Sequence, residues 1–224
     1  MFSLNLLRMK YLLLFLFALP VATFINVNPP ASGNAASPSP LSNFSAEWNQ
    51  PKYKVCNTAA NANYMTEEEK KLIYIINLMR MNPVLFANTV AKKYPDSSGM
   101  GYIKNLDNYV SLLGTLRKLK PLNLLYPDSL CFEGASCHAV SSGIKGYVGH
   151  VRADADCKSK WYFNGECCDY GHSKALDILM NLMIDEGVPS LGHRNICLSK
   201  YGRIGVAIRP HIGYGHNAVL DFHY

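Results

Sequence analysis

Four polar residues stand out because of what flanks them. His150 follows Gly149, Glu166 follows Gly165, His193 follows Gly192, and Asp185 falls where a helix should end. A glycine beside a functional side chain lets another backbone or a ligand come close. Two neutral imidazoles can ligate a divalent ion such as Zn²⁺. Carboxylates can either complete the ligand set or accept from the other ring nitrogen and fix the imidazole. His150 and His193 are therefore the candidate metal ligands. Two histidines alone bind metal weakly, because catalytic zinc sites use three protein ligands and structural ones four. Glu166 is the candidate catalytic residue, as a base for metal-activated water. The common catalytic strings G-x-S-x-G, H-E-x-x-H, Walker A and G-x-G-x-x-G are absent. His138 is read as packed near the site on a helix. His172, His211, His216 and His223 are read as structural or solvated.

These residues need elements to position them. Thr66-Glu67-Glu68-Glu69 is a capping box, and Leu72, Ile73, Ile76 and Met79 follow at helical spacing. Pro83 ends that helix, and Val84 to Lys93 continue as a second short one. Asp107 to Lys118 is the next. Pro127 at the first helical position starts another that stops at Gly143. Ser173 caps a helix through Glu186, with Gly187 past its end. Two strands close the chain, around Ile204, Val206 and Ile208 and around Ala218, Leu220 and Phe222. Helices followed by antiparallel strands predict an α+β layered domain. The turn from Gly187 to Gly192 sets His193 just beyond the helix that carries Asp185. No local rule brings His150 and Glu166 to them.

Composition narrows the class. The chain has 224 residues, 49% hydrophobic and 17% charged, which excludes a disordered chain. Residues 1–25 pair a basic start (Arg8, Lys10) with an apolar run, the pattern of a secretory signal peptide that is too short to span a bilayer stably. Its removal lowers the formal net charge from +6 to +4. There is no basic stripe, so nucleic acid is not an expected partner. Residues 26–63, rich in Pro, Ser and Asn, are expected to be a linker, and residues 64–224 the globular domain.

Export changes how seven cysteines read, since disulfides persist outside the cytoplasm. The odd number leaves at least one thiol free or paired with another chain. Cys131 and Cys137 lie six apart on a helix, on different faces, and should not bridge each other. Cys157 with Cys167 or Cys168 is the expected local pair. A Cys–His nucleophile at Cys131 or Cys137 lacks a thiolate-stabilising charge.

From Thr66 to Tyr224 the chain resembles the CAP superfamily, or SCP domains, in its secreted bacterial branch. The pieces stand in order: Ile76-Asn77-Leu78-Met79-Arg80, Ala135-Ser136-Cys137-His138-Ala139, Gly149-His150, Gly165-Glu166, the run from Ile184 to Asn195 containing Gly192-His193-Arg194, and the closing strands. The resemblance implies a three-layer α-β-α sandwich with an antiparallel central sheet. It also implies a cleft tetrad of His150, Glu166, Asp185 and His193, with Glu186 the competing acid. Cys167 replaces the Asn of the family's G-E-N, and Leu182 stands where a Trp is frequent. The implied protein is secreted or periplasmic. Its cleft would bind zinc or another divalent metal and a small apolar, lipid or cell-envelope ligand, without assured catalysis. Two other readings are a metal-dependent hydrolase of peptides or esters using Glu166, and an interaction module with a non-functional cleft.

Overall fold

Thr66 starts the first long helix as its side chain dictates. Its hydroxyl accepts from the Glu69 amide, and the Glu69 carboxylate accepts from the Thr66 amide. Such a cap stabilises a helix by about 1 kcal/mol. Glu69 also accepts from the Ile208 amide at 2.8 Å, tying this helix start to a strand 139 residues away. The computed structural model describes residues 38–152 and 154–224. The expected signal peptide, residues 1–25, and the first part of the expected linker lie outside the described residues.

The described residues hold eight α-helices and a four-stranded mixed sheet. Helix α1 spans Glu67–Met81. After Pro83 the chain continues as α2 (Pro83–Phe86), a π-turn (Ala87–Ala91) and α3 (Lys92–Ser97). Helix α4 is Asp107–Lys118. Tyr126–Pro127 form β1, and α5 is Ser129–Lys145. Then come α6 (Ala155–Ser159), β2 (Gly165–Tyr170), α7 (Ala175–Ile184), α8 (Gly192–Cys197), β3 (Arg203–His211) and β4 (Gly215–His223).

Several expectations are corrected. Pro127 is a strand residue, and α5 instead begins after Asp128, whose carboxylate accepts from the Leu130 and Cys131 amides. It ends at Gly146, which takes a φ of 65°, beyond the expected stop at Gly143. Helix α7 starts after Lys174 rather than Ser173 and ends at Asp185. Strand β2 was not legible, because five of its six residues are buried and its sequence Gly-Glu-Cys-Cys-Asp-Tyr shows no polar–apolar alternation. The sheet order is β1-β3-β4-β2, and β1 runs parallel to β3, so the sheet is mixed rather than antiparallel.

The expected linker is also corrected from Pro38 onward. Leu41, Trp48, Tyr53, Cys56, Ala59 and Ala62 all sit in the main core. Trp48 Nε1 donates to Thr89 Oγ1 at 3.1 Å, and Asn77 donates to the Cys56 carbonyl at 3.1 Å. Composition described the turns of this segment and missed its apolar anchors, which bury against α1 and the helices that follow.

The sheet separates two packed layers. Ile204, Val206, Leu220 and Phe222 join the core of Leu72, Ile76, Leu179 and Met183 on one face. Ala207, Val219 and Cys168 meet Ala135 and Ala139 of α5 on the other. The α5 layer is built for close approach: a Cβ at Gly205 would collide with the backbone of Cys131 and Phe132. A disulfide joins Cys137 of α5 to Cys157 of α6, with Cα atoms 5.4 Å apart. This replaces the expected pairing of Cys157 with Cys167 or Cys168. Both of those lie on β2, which packs into the sheet, whereas Cys137 projects from α5 toward α6. Cys131 and Cys137 do not bridge, as their spacing requires, and Cys56, Cys131, Cys167, Cys168 and Cys197 are free and buried.

Candidate functional site

Strand β2 lies at the sheet's edge, and its successive residues face opposite sides. Glu166 and Cys168 point toward α5, in register with Asp221 and Val219 of β4, while Cys167 joins the core on the other face. His150 arrives from the loop between α5 and α6. That loop is anchored at Gly149, whose amide donates to Tyr170 Oη at 2.9 Å and whose carbonyl accepts from His138 Nε2 at 2.9 Å. His150 Nδ1 then sits 2.9 Å from Glu166 Oε1.

The second half of the site is a helix cap. Asp185 ends α7 in the left-handed region, with φ 57°. Its Oδ2 accepts from the His193 amide at 3.0 Å and the Arg194 amide at 3.3 Å, at the start of α8. Its Oδ1 lies 2.8 Å from His193 Nδ1. Asp and Asn are the residues that tolerate this backbone region best after glycine. A short acidic side chain is therefore what both the turn and the cap need. Glu186 is exposed, so the acid that meets His193 is Asp185. Arg194 fixes the turn from behind: buried, it donates to the Met183 and Ile184 carbonyls, which end α7, and to the Asn108 carbonyl and Ser111 hydroxyl. Arg80, also buried, donates to the Cys197, Ser199 and Tyr201 carbonyls beyond α8.

All four expected site residues thus meet. The ring centroids of His150 and His193 are 6.0 Å apart. A carboxylate accepts, so each Nδ1 carries the hydrogen and each Nε2 keeps its lone pair. His150 is 53% exposed and His193 20%, whereas the carboxylates of Glu166 and Asp185 are only 3% and 1% exposed. The imidazoles form the accessible surface, and the acids support them from beneath.

Sequence reasoning missed the residues under Glu166. Arg152 is fully buried, with Nη2 2.5 Å from Glu166 Oε2 and 3.0 Å from Asp221 Oδ2. Its guanidinium lies over Phe163 at 4.6 Å. The Glu166 contact is an ion pair off the line of a hydrogen bond, so Glu166 Oε2 and Asp221 Oδ1 both remain without a donor. One proton held between the two carboxyls would satisfy both. Burial and the neighbouring Glu166 charge push the Asp221 carboxyl up to about 9, against the pull of Arg152. Burial also pushes Glu166 up, but the hydrogen bond from His150 and the ion pair with Arg152 outweigh it, and its net shift is downward. No local motif flags Asp221 or Arg152; only cross-strand register reveals them.

Three of the remaining histidines have defined surroundings. His138 is buried, His172 pairs with Asp169 at 3.1 Å, and His211 packs by the Tyr147 carbonyl. Cys131, disfavoured as a nucleophile on sequence grounds, has its thiol pushed up to about 12 by burial and by Asp128. A hollow lies away from the tetrad. It is a groove of about 530 Å³ between α5 and α6, lined by Phe132, Val140 and Ile144 beside the disulfide.

Fold and site together define a mixed α/β protein with two imidazoles, one from a loop and one from α8, each backed by a buried carboxylate. Comparisons with protein-family models, with curated proteins and with solved structures returned no match.

Proposed function

We propose that this chain is an exported CAP/SCP-type domain, folded as that family's α-β-α sandwich, whose cleft binds a divalent metal, zinc in the first instance, through His150 and His193. One observation carries the reading: both imidazoles are pinned through Nδ1 by buried acids and face each other with Nε2 unengaged. This is the carboxylate–histidine arrangement that orients metal ligands and raises their basicity. The spacing fits the ion, since two imidazoles on one zinc at about 2.0–2.1 Å place their centroids roughly 5–6 Å apart. A bound ion would supply Lewis acidity at the mouth of the cleft. The helices on both faces of the sheet and the capped Gly192-His193-Arg194 turn support the family assignment. The Cys137–Cys157 disulfide supports an extracytoplasmic location. No helix among the described residues is long and apolar enough to cross a membrane.

Binding is favoured over hydrolysis for a specific reason. A general base at Glu166 would have to reach a water and take its proton. Glu166 is 3% exposed, committed to His150 and Arg152, and held below the usual carboxylate range. A small apolar or envelope-derived ligand would use the groove over α5, whose size lies in the range of small-molecule sites. Titration calorimetry with Zn²⁺ tests the central reading. One equivalent of Zn²⁺ bound at the cleft is expected, and that equivalent is lost in His150→Ala plus His193→Ala. An isotherm unchanged in that double variant would remove the cleft from metal binding.

A further inference from the structure

Behind the cleft, Glu166 of the tetrad belongs to a second group of ligand-type side chains, whose other two members the tetrad does not use. His138 of α5, Cys168 of β2 and Glu166 each offer one ligand atom, and these atoms all lie within 4.8 Å of one another. All three residues are buried: His138 is 1% exposed, Glu166 6% and Cys168 7%. The His138 ring also carries an unpartnered nitrogen. Its Nε2 sits 2.9 Å from the Gly149 carbonyl, an acceptor only, so Nε2 carries the hydrogen. Its Nδ1 therefore presents a lone pair, and that atom is buried with no hydrogen-bond partner. A buried polar atom without a partner costs roughly 1–3 kcal/mol and asks for an explanation. The Cys168 thiol has only weak contacts, 3.9 Å to the Gly149 carbonyl and 3.6 Å to His150 Nδ1.

We infer that a ring nitrogen of His138, Cys168 Sγ and a Glu166 carboxylate oxygen form a buried binding site for a transition-metal dication of the zinc type, which shares Glu166 with the His150/His193 cleft. The donor set is one imidazole, one thiolate and one carboxylate, each an ordinary zinc ligand. Three protein ligands leave a fourth position open. Ligand–ligand separations around a tetrahedral zinc are roughly 3.3–3.7 Å for bonds of about 2.0–2.3 Å, so the cluster closes by about 1 Å on loading. Binding breaks the Cys168 S–H bond and forms a metal–sulfur bond, and the proton leaves to solvent. Thiolate and carboxylate together balance the two positive charges, while Arg152 stays with Asp221. The half-exposed His150 side chain lies beside Cys168, its Nδ1 3.6 Å from the sulfur.

Co²⁺ added to the full-length, disulfide-intact protein tests this, because cobalt reports its ligands by absorption. A near-ultraviolet sulfur-to-cobalt charge-transfer band is expected at one equivalent of tightly bound metal. The band should vanish in Cys168→Ser, fall at least tenfold in apparent affinity in His138→Gln, and persist in His193→Ala and in Cys131→Ser. Circular dichroism of each variant checks that it is folded, and His138→Gln keeps the test alive if Cys168→Ser is not. No band in the wild-type protein, or one that survives Cys168→Ser, overturns the inference and leaves a buried water as the partner of His138 Nδ1. The cleft reading stands or falls separately: Zn²⁺ binding lost in His150→Ala plus His193→Ala bears on it, and the sulfur band retained in His193→Ala does not depend on it.

Discussion

Replacing Asp221 by asparagine should flatten the pH dependence of stability. Asp221 and Glu166 face each other directly across β4 and β2, with one buried guanidinium, Arg152, between them. Two carboxylates and one cation would leave a buried net negative charge, which is costly. Keeping one proton on the pair avoids it and satisfies the two orphaned oxygens. The consequence for linkage has a definite sign. An unfolded Asp releases its proton near 3.8, whereas folded Asp221 holds it to about 9. Between those values the folded state binds one proton more than the unfolded state, so stability falls as pH rises. The slope for one proton is about 1.4 kcal/mol per pH unit. Glu166 acts in the opposite sense, but only below its ordinary value of 4.5, where its stabilising contribution is lost as pH falls. From about pH 5 to 8 the Asp221 term therefore governs this pair, amounting to about 4 kcal/mol over the interval. That is a large part of a total stability of about 5–15 kcal/mol. In Asp221→Asn the amide side chain keeps the shape, donates to Glu166 and accepts from Arg152, with no proton to lose. Urea unfolding of both proteins at several pH values measures the difference. Titration of His138 and His172 occurs in both proteins and cancels. The variant should gain on the wild type by about 1.4 kcal/mol per pH unit. Parallel stability curves would show that Asp221 is ionised in the folded protein and sink the shared-proton account.

Three further outcomes follow from other parts of the structure. Asp185→Ala removes the α8 cap and the support of His193, so stability should drop by about 1–2 kcal/mol and Zn²⁺ affinity roughly 10–100-fold, read by urea melts and calorimetry. A purely structural role for Asp185 would lower stability and leave affinity unchanged. Gly205→Ala drives a methyl group into the α5 backbone and should cost about 1–3 kcal/mol, seen as a lowered Tm with the spectrum of the folded protein otherwise retained. Cys137→Ser opens a crosslink between residues 20 apart and should cost about 3 kcal/mol in denaturant unfolding. An equal response of wild type and variant to reductant would contradict the bridge.

Sequence alone determined the parts of this protein that are governed by near neighbours. The Thr66 capping box, the extent of α4 and the closing strands all follow from residues within a few positions of each other. The Asp185–His193 contact belongs here too, since a single turn joins the two residues. The family resemblance supplied His150 and Glu166 as their companions, which local spacing could not. Tertiary structure decided the rest, for physical reasons visible at particular residues. Strand β2 hides its polarity pattern because its acids are satisfied by Arg152, Asn181 and His172 rather than by solvent. The segment from Pro38 to Asn63 looks like a linker until Trp48 and Tyr53 find a core to enter. The disulfide partner of Cys157 depends on which face of α5 turns toward α6. Asp221, Arg152 and the His138–Cys168 pair become neighbours only when β2, β4 and α5 are stacked, because register and layer packing bring together charges that lie tens of residues apart in the chain.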